Sequence, residues 1–190
     1  MRLVNEAGVV FRYAVSMSGT ARSLYLFGLY VIVGFAIQVT PTVDREFVVP
    51  FLHVMSDVSG GLIKFFGGSA LVSANVIRSP NTGFSVQVVN GCSGLEAVIL
   101  ICAAVLAFPT TWKMRFVGIL ACSAAILGVN LIRIVSLFYI GQYSMEWFEW
   151  AHLYAWDILI MVDGLIALIL WIKFARSRDE RASSNGQVHP

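Results

Sequence analysis

The chain has 190 residues, 58% of them hydrophobic and 13% charged, with a mean hydropathy of +0.79. A soluble core of this length cannot hide so much apolar surface, which excludes an ordinary water-soluble domain and makes the lipid bilayer the expected solvent. The net charge of +2 carries no signal as a total, and the three cysteines lack the CxxC or Cys/His spacing of a zinc site, so no metal, cofactor or nucleic-acid partner is expected.

A helix needs about 20 predominantly apolar residues to cross the hydrocarbon core. The first such run is 24–39, extended at its start by Arg22 and Ser23. It begins late and lacks a small-residue cleavage site, so it reads as a span and not as a signal peptide. Residues 46–72 follow, with Val48, Phe51, Leu52, Met55 and Val58 on one helical face and Asp57, Lys64 and paired glycines breaking any continuous span. The pattern predicts a helix lying in the outer interface, not a fifth crossing. Next, "RSPNTG" is a turn cluster, and Phe84, Val86 and Val88 alternate with polar residues, predicting a small β-hairpin over 73–89 outside the membrane.

Three more spans are predicted at 94–108, 116–140 and 155–174, the first of them short and expected to borrow residues from both flanks. The fold class is therefore an all-α integral membrane protein of four spans with an interfacial helix and a hairpin. One domain covers 1–176, and a polar cytoplasmic tail, expected to be disordered, covers 177–190. Nine of the thirteen Lys and Arg residues (Arg2, Arg12, Arg22, Lys113, Arg115, Lys173, Arg176, Arg178 and Arg181) flank one side. The positive-inside rule places that side, with both termini, in the cytoplasm. Tyr143, Trp147 and Trp150 read as anchors on the outer surface.

With this topology three reactive residues reach one depth. Cys92, in "NGCSG", stands at the outer mouth of the second span. Arg133 lies seven residues before the end of the third, about 10 Å below it. His152 opens the fourth. A histidine or a nearby cation favours a thiolate, a guanidinium can hold a developing oxyanion, and histidine can protonate a leaving amine. Each residue alone has a plainer reading: inert packing for Cys92, an interfacial side chain for His152, an ion pair with Glu96 for Arg133. Asn130, one turn below Arg133, either orients its fork or bonds a neighbouring helix. Glu96 either holds Arg133 or lines the site. Asp163, roughly 20° around the helix from His152, is too deep to touch it and is expected to make a structural polar contact. The convergence of three separate segments favours a cysteine-based site.

The blocks "NGCSGLEAVILICAAVLAFP", "NLIRIVSLFYIGQ" and "FEWAHLYAWDILIMVDGLIALILW" resemble the exosortase/archaeosortase family, most closely its H type, in order and spacing. The resemblance covers roughly residues 75–171. It implies a membrane-embedded transpeptidase or protease of the bacterial inner membrane, with Cys92, Arg133 and His152 as its active site facing the periplasm. The implied partners, besides membrane lipid, are exported proteins carrying a tripartite C-terminal signal: a short motif, here of the IPTL type, one transmembrane helix and a basic tail. Two other readings remain. "GCSG" also spells the GxSG of rhomboid-like serine proteases, with Ser93 as nucleophile, and the chain can be a non-enzymatic membrane scaffold.

Overall fold

The computed structural model describes the backbone of residues 2–185 and the side chains of residues 19–178. Helix α1 (Arg2–Gln38) leads through the short α2 (Pro41–Val43) and a π-helical turn (Asp44–Val48) into α3 (Val49–Phe65). Strands β1 (Leu71–Ser73), β2 (Val76–Arg78) and β3 (Ser85–Gln87) precede a 3-10 turn (Asn90–Cys92) and α4 (Leu95–Ala107). Helix α5 (Trp112–Tyr143) is followed by α6 (Met145–Trp150), a second π-helical turn (Ala151–Ala155) and α7 (Trp156–Asn185).

By length and composition, Gly19–Gln38, Pro41–Phe65, Trp112–Tyr143 and Met145–Arg178 are each able to cross a membrane. This is an all-α membrane fold with four candidate spans, but the four are not those expected. Helix α4 has only 13 residues, about 20 Å of rise, and borrows nothing from its flanks. Gly94, at φ +78, is left-handed and cannot continue the helix backwards, while Phe108 is extended ahead of Pro109. Helix α5 is the opposite case. Its 32 residues rise about 48 Å, more than a bilayer core, so one end stands proud of the trunk.

That projecting end carries the sheet. The order is β1-β2-β3, antiparallel throughout, with Ile77 opposite Val72 and Val86. The expected hairpin is thus enlarged by the strand Leu71–Ser73. The β1–β2 turn was illegible because it uses Ala74 at φ +54, an unusual conformation for a residue with a Cβ. Asn75 secures it: its Nδ2 donates to Val88 O (2.9 Å) and its carbonyl accepts from Val88 N (2.8 Å). Phe84 lies against Gly141 near the end of α5, where any side chain would strike the ring, and Ser79 Oγ donates to Gln142 Oε1 at 2.8 Å.

Helix α3 closes over the same buried face of the sheet, beside α5. Leu52, Met55, Ser56, Ser59, Gly60 and Ile63 are buried, a stripe of helical period, and Val48, Ile77, Val86, Val88, Ile134 and Phe138 complete one core with its apolar members. Val58, expected on this face, is exposed because the stripe is rotated toward the two serines. Pro41 and Asp44 border Asn90 and Glu96, and at the far end Tyr139 Oη donates to Ile63 O (3.4 Å). Both ends of the segment therefore meet the same end of the trunk, and it lies across that end, long enough to cross a membrane though it is. A second core joins Ile101, Val105, Cys122, Ile126, Trp171 and Ala175 of α4, α5 and α7. At the far end from the sheet, Arg115 Nη2 donates to Phe108 O (3.3 Å), and Arg176 stands over the Phe108 ring. The polar stretch from Ser177 continues α7 to Asn185 in place of the expected disorder, with helix-favouring Arg178, Glu180, Arg181 and Ala182 at its centre; residues 186–190 lie outside the described residues.

Candidate active site

Cys92 is carried by a turn with its own internal bonding. Cys92 N donates to Val89 O (2.9 Å) and Ser93 N to Asn90 O (3.1 Å). The Ser93 hydroxyl donates to Asn90 O (2.8 Å) and accepts from Leu95 N (3.3 Å). Ser93 is fully buried, so its oxygen is committed to the turn and closed to solvent. The turn then folds back onto α5 through Gly94. A Cβ there would meet Asn130 Cβ and Cγ at 3.2 Å, so glycine is required both by the left-handed φ and by this approach.

The three expected residues meet. Cys92 Sγ is 3.8 Å from His152 Nε2, and Arg133 Nη2 is 3.4 Å from the other imidazole nitrogen, Nδ1. The same Nη2 donates to Asp157 Oδ1 at 3.0 Å. Arg133 is buried, at 3% exposure, and its Nε is also buried without a partner among the described residues. The guanidinium therefore holds a donor in reserve. Because arginine can only donate, Nδ1 accepts, and neutral His152 carries its proton on Nε2, facing the sulfur.

Asp157 is the residue the sequence reading missed. Its signal is the spacing His152–Asp157. Five residues lie about 140° apart on a regular α-helix, on different faces. The π-helical turn Ala151–Ala155, closed by Trp156 N donating to Ala151 O, brings both toward one guanidinium. Nothing in the residue types announces that turn. Phe148 was missed as well. Its ring stacks on His152 at 5.7 Å and 15°, and Phe84 meets Phe148 edge-on at 5.5 Å, so the sheet braces the imidazole through two aromatic rings.

Other expectations change. Of the two readings of Glu96, the ion pair with Arg133 is not made, whereas Glu96 does line a space together with Arg133 and Asp157; the charge partner is Asp157, half exposed at 54%. Asn130 neither orients the fork nor bonds a neighbouring helix: both ends of its buried amide lack a hydrogen-bond partner among the described residues, and its role in the packing is to seat Gly94. Asp163 has no hydrogen-bond partner at its buried Oδ2 among the described residues. Cys102 and Cys122 face Ser123 Oγ (3.8 Å) and Ala167 O (3.6 Å), away from any base. Burial pushes the Cys92 thiol above its usual range; the Arg133 cation opposes this, while Asp157 and Glu96 add to it. The thiolate expected from a nearby cation is thus not the resting form.

Two spaces open from Arg133. A cavity of about 140 Å³ lies between β3 and the Cys92–His152 pair, with Leu137 and Phe148 in its wall. An apolar furrow of about 510 Å³ runs down the trunk among Phe27 of α1, Ala97 and Leu100 of α4 and Gly164 and Leu165 of α7, headed by Arg133 and Asp157. No curated protein and no solved structure was found to match the chain. A family model described as transmembrane exosortase (Exosortase_EpsH) matches residues 7–171, and the chain belongs to that family, whose general role is that of membrane transpeptidases.

Proposed function

We propose that the protein is a cysteine transpeptidase or protease that cleaves the C-terminal sorting signals of exported proteins at the outer face of the bacterial inner membrane. Its termini are cytoplasmic and its sheet periplasmic, an orientation supported by the nine flanking cations on one side. The observation that carries the reading is Cys92 Sγ at 3.8 Å from His152 Nε2 with Arg133 Nη2 on the opposite ring nitrogen, three groups supplied by three elements. The furrow supports it further: a substrate helix seated there is handed to the site at Arg133.

The scissile carbonyl enters beside Sγ and draws the guanidinium, whose Nε has no other partner, toward its oxygen. Nδ1 of His152 then loses its donor and takes a proton from water while Nε2 gives its own proton to water, which frees the Nε2 lone pair to act as base. Nε2 takes the proton from Sγ as the sulfur attacks, and the Sγ–C bond forms while negative charge passes to the carbonyl oxygen. Collapse breaks the C–N bond, and Nε2 returns the proton to the leaving amine. The product is a thioester on Cys92 with the helix and tail released. An amine or water attacks the thioester, and the sulfur leaves with its proton restored through His152.

The test is cleavage of a co-expressed protein bearing an IPTL-type tripartite signal. Cys92→Ala abolishes cleavage, while Cys102→Ala and Cys122→Ala retain it, because neither of those sulfurs faces a base. An inactive Ser93→Ala variant beside an active Cys92→Ala variant would overturn the assignment.

A further inference from the structure

The two outer strands of the sheet are not equivalent. In the β2–β3 ladder, Ser79 N donates to Phe84 O and Val88 N to Asn75 O, both at 2.8 Å. With the register Ile77↔Val86, these bonds direct the backbone N–H and C=O of Phe84, Val86 and Val88 toward β2. The backbone groups of the alternate residues Ser85 and Gln87 consequently point off the free edge, since β3 is terminal in the order β1-β2-β3. Neither residue has a backbone hydrogen bond across that edge among the described residues.

This edge is unguarded. Exposed strand edges are ordinarily blunted by a charge, a proline or a bulge, and "FSVQVV" has none of them. The strand is held rigid from one face by its buried Val86 and by Val88 just beyond it, while Ser85 and Gln87 are exposed. Residues 85–89 form one wall of the cavity of about 140 Å³ whose other walls hold Cys92, His152 and Phe148. From Gln87 the chain passes through Val88 and Val89 straight into the turn that carries the thiol. The opposite outer strand, β1, packs onto α3, with Val72 against Gly60.

We propose that the free edge of β3 is the substrate-binding strand: the extended segment of the sorting signal around its scissile bond adds to the sheet as a fourth strand. This rests on the functional reading above. The backbone of Ser85 and Gln87 exchanges hydrogen bonds with that segment, one of its apolar side chains enters the cavity, and its next carbonyl lies over Sγ. Main-chain pairing supplies the affinity, and the alternating side chains supply the choice of motif.

Proline tests the edge directly, because an N–H that points off an edge is not part of the ladder and its removal leaves the sheet paired. Ser85→Pro and Gln87→Pro are each expected to raise KM for the sorting-signal substrate by about fivefold or more with kcat little changed, one main-chain bond being lost. Gln87→Ala, which keeps the N–H, falls far less. Proline variants that accumulate, keep an alkylatable Cys92 and cleave like the parent overturn the edge while leaving the functional reading standing. A parent protein inert toward the signal overturns both.

If the proline variants fail to accumulate, cross-linking decides. Ser85→Cys or Gln87→Cys, in a chain also carrying Cys92→Ala, Cys102→Ala and Cys122→Ala, is oxidised beside substrates with single cysteines stepped through the motif. Disulfides confined to every second motif position support an added strand. Disulfides with no such period, none at all, or a disulfide joining two copies of this chain overturn it.

Discussion

In the helical segment Pro41–Phe65, 39% of the most apolar window is buried within the protein, against none in Gly19–Gln38 and 11% in Met145–Arg178; Trp112–Tyr143, which serves both regions, has 33%. The segment and the sheet it covers form a cap that buries Leu52, Met55, Ile63, Ile77, Val86 and Val88 in a core shared with Ile134 and Phe138 of α5, while Phe47, Phe65 and Phe66 on its outer side stay exposed. The trunk leaves Leu24, Ile32, Ile158 and Ile166 at least half exposed, which is stable only with lipid around it. Arg133 stands where the two regions meet. The trunk supplies the low-dielectric setting in which a guanidinium is potent, and the cap supplies the aromatic brace and the turn that face it. The comparison teaches that the site depends on a small packed domain seated on the trunk and not on the trunk alone.

The comparison breaks first at the core of the cap. Ile77, fully buried between α3 and the sheet, is expected to lose about 2–5 kcal/mol of stability on Ile77→Ala, as large-to-small changes in packed cores do. The readout is the loss of accumulated protein together with activity, and a stable, active variant would show that the cap is not a core.

Arg133→Lys separates charge from geometry at the junction. Lysine keeps the charge but loses the planar fork, the Nε donor and the simultaneous contacts to Asp157 and His152. Cleavage is expected to slow by about a hundredfold or more, the scale of losing one oxyanion donor, with protein amount unchanged. Near-normal cleavage would leave Arg133 only a structural or thiolate-stabilising charge.

Burial raises the Cys92 thiol above its usual range, so the neutral form prevails at neutral pH and the thiolate grows as pH rises. Alkylation of Cys92 in the substrate-free protein is therefore expected to accelerate by about tenfold per pH unit between pH 7 and 8. Arg133→Gln, by removing the one cation that opposes the rise, slows alkylation further at fixed pH. A rate already level at neutral pH would mean that the cation outweighs burial.

The smallest effect is expected on the lipid face. Ile166, half exposed on α7, should change stability by no more than about 0.5 kcal/mol on Ile166→Ala, measured in the same detergent as Ile77→Ala. A loss equal to that of Ile77→Ala would mean that the trunk face is covered by protein.

Much of the site was legible before the structure because hydrophobic runs set depth, and depth alone brought Cys92, Arg133 and His152 together. What depth cannot give is rotation about a helix. Under one of its two readings Glu96 was the partner of Arg133 because it shares its level, yet it makes no ion pair with it, while Asp157 reaches Arg133 through a π-helical turn invisible in the residue types. The fold failed to be legible for the same kind of reason. Strand β1 depends on a left-handed alanine, and the length of α4 is set by the left-handed Gly94 and by Pro109, both of which were read as lying within or beside a longer span.

The central claim is that Cys92 carries the covalent chemistry, with Arg133 holding the carbonyl oxygen and His152 moving the proton from the thiol to the leaving amine. Its most direct test is peptide mass spectrometry of the purified membrane protein, quenched in acid during turnover of a sorting-signal substrate. The predicted result is an adduct of the substrate's N-terminal portion on the peptide containing Cys92, lost on treatment with neutral hydroxylamine as a thioester is, and missing from Cys92→Ala. Turnover with no adduct on that peptide under trapping conditions, or with a hydroxylamine-resistant ester on Ser93, would contradict it.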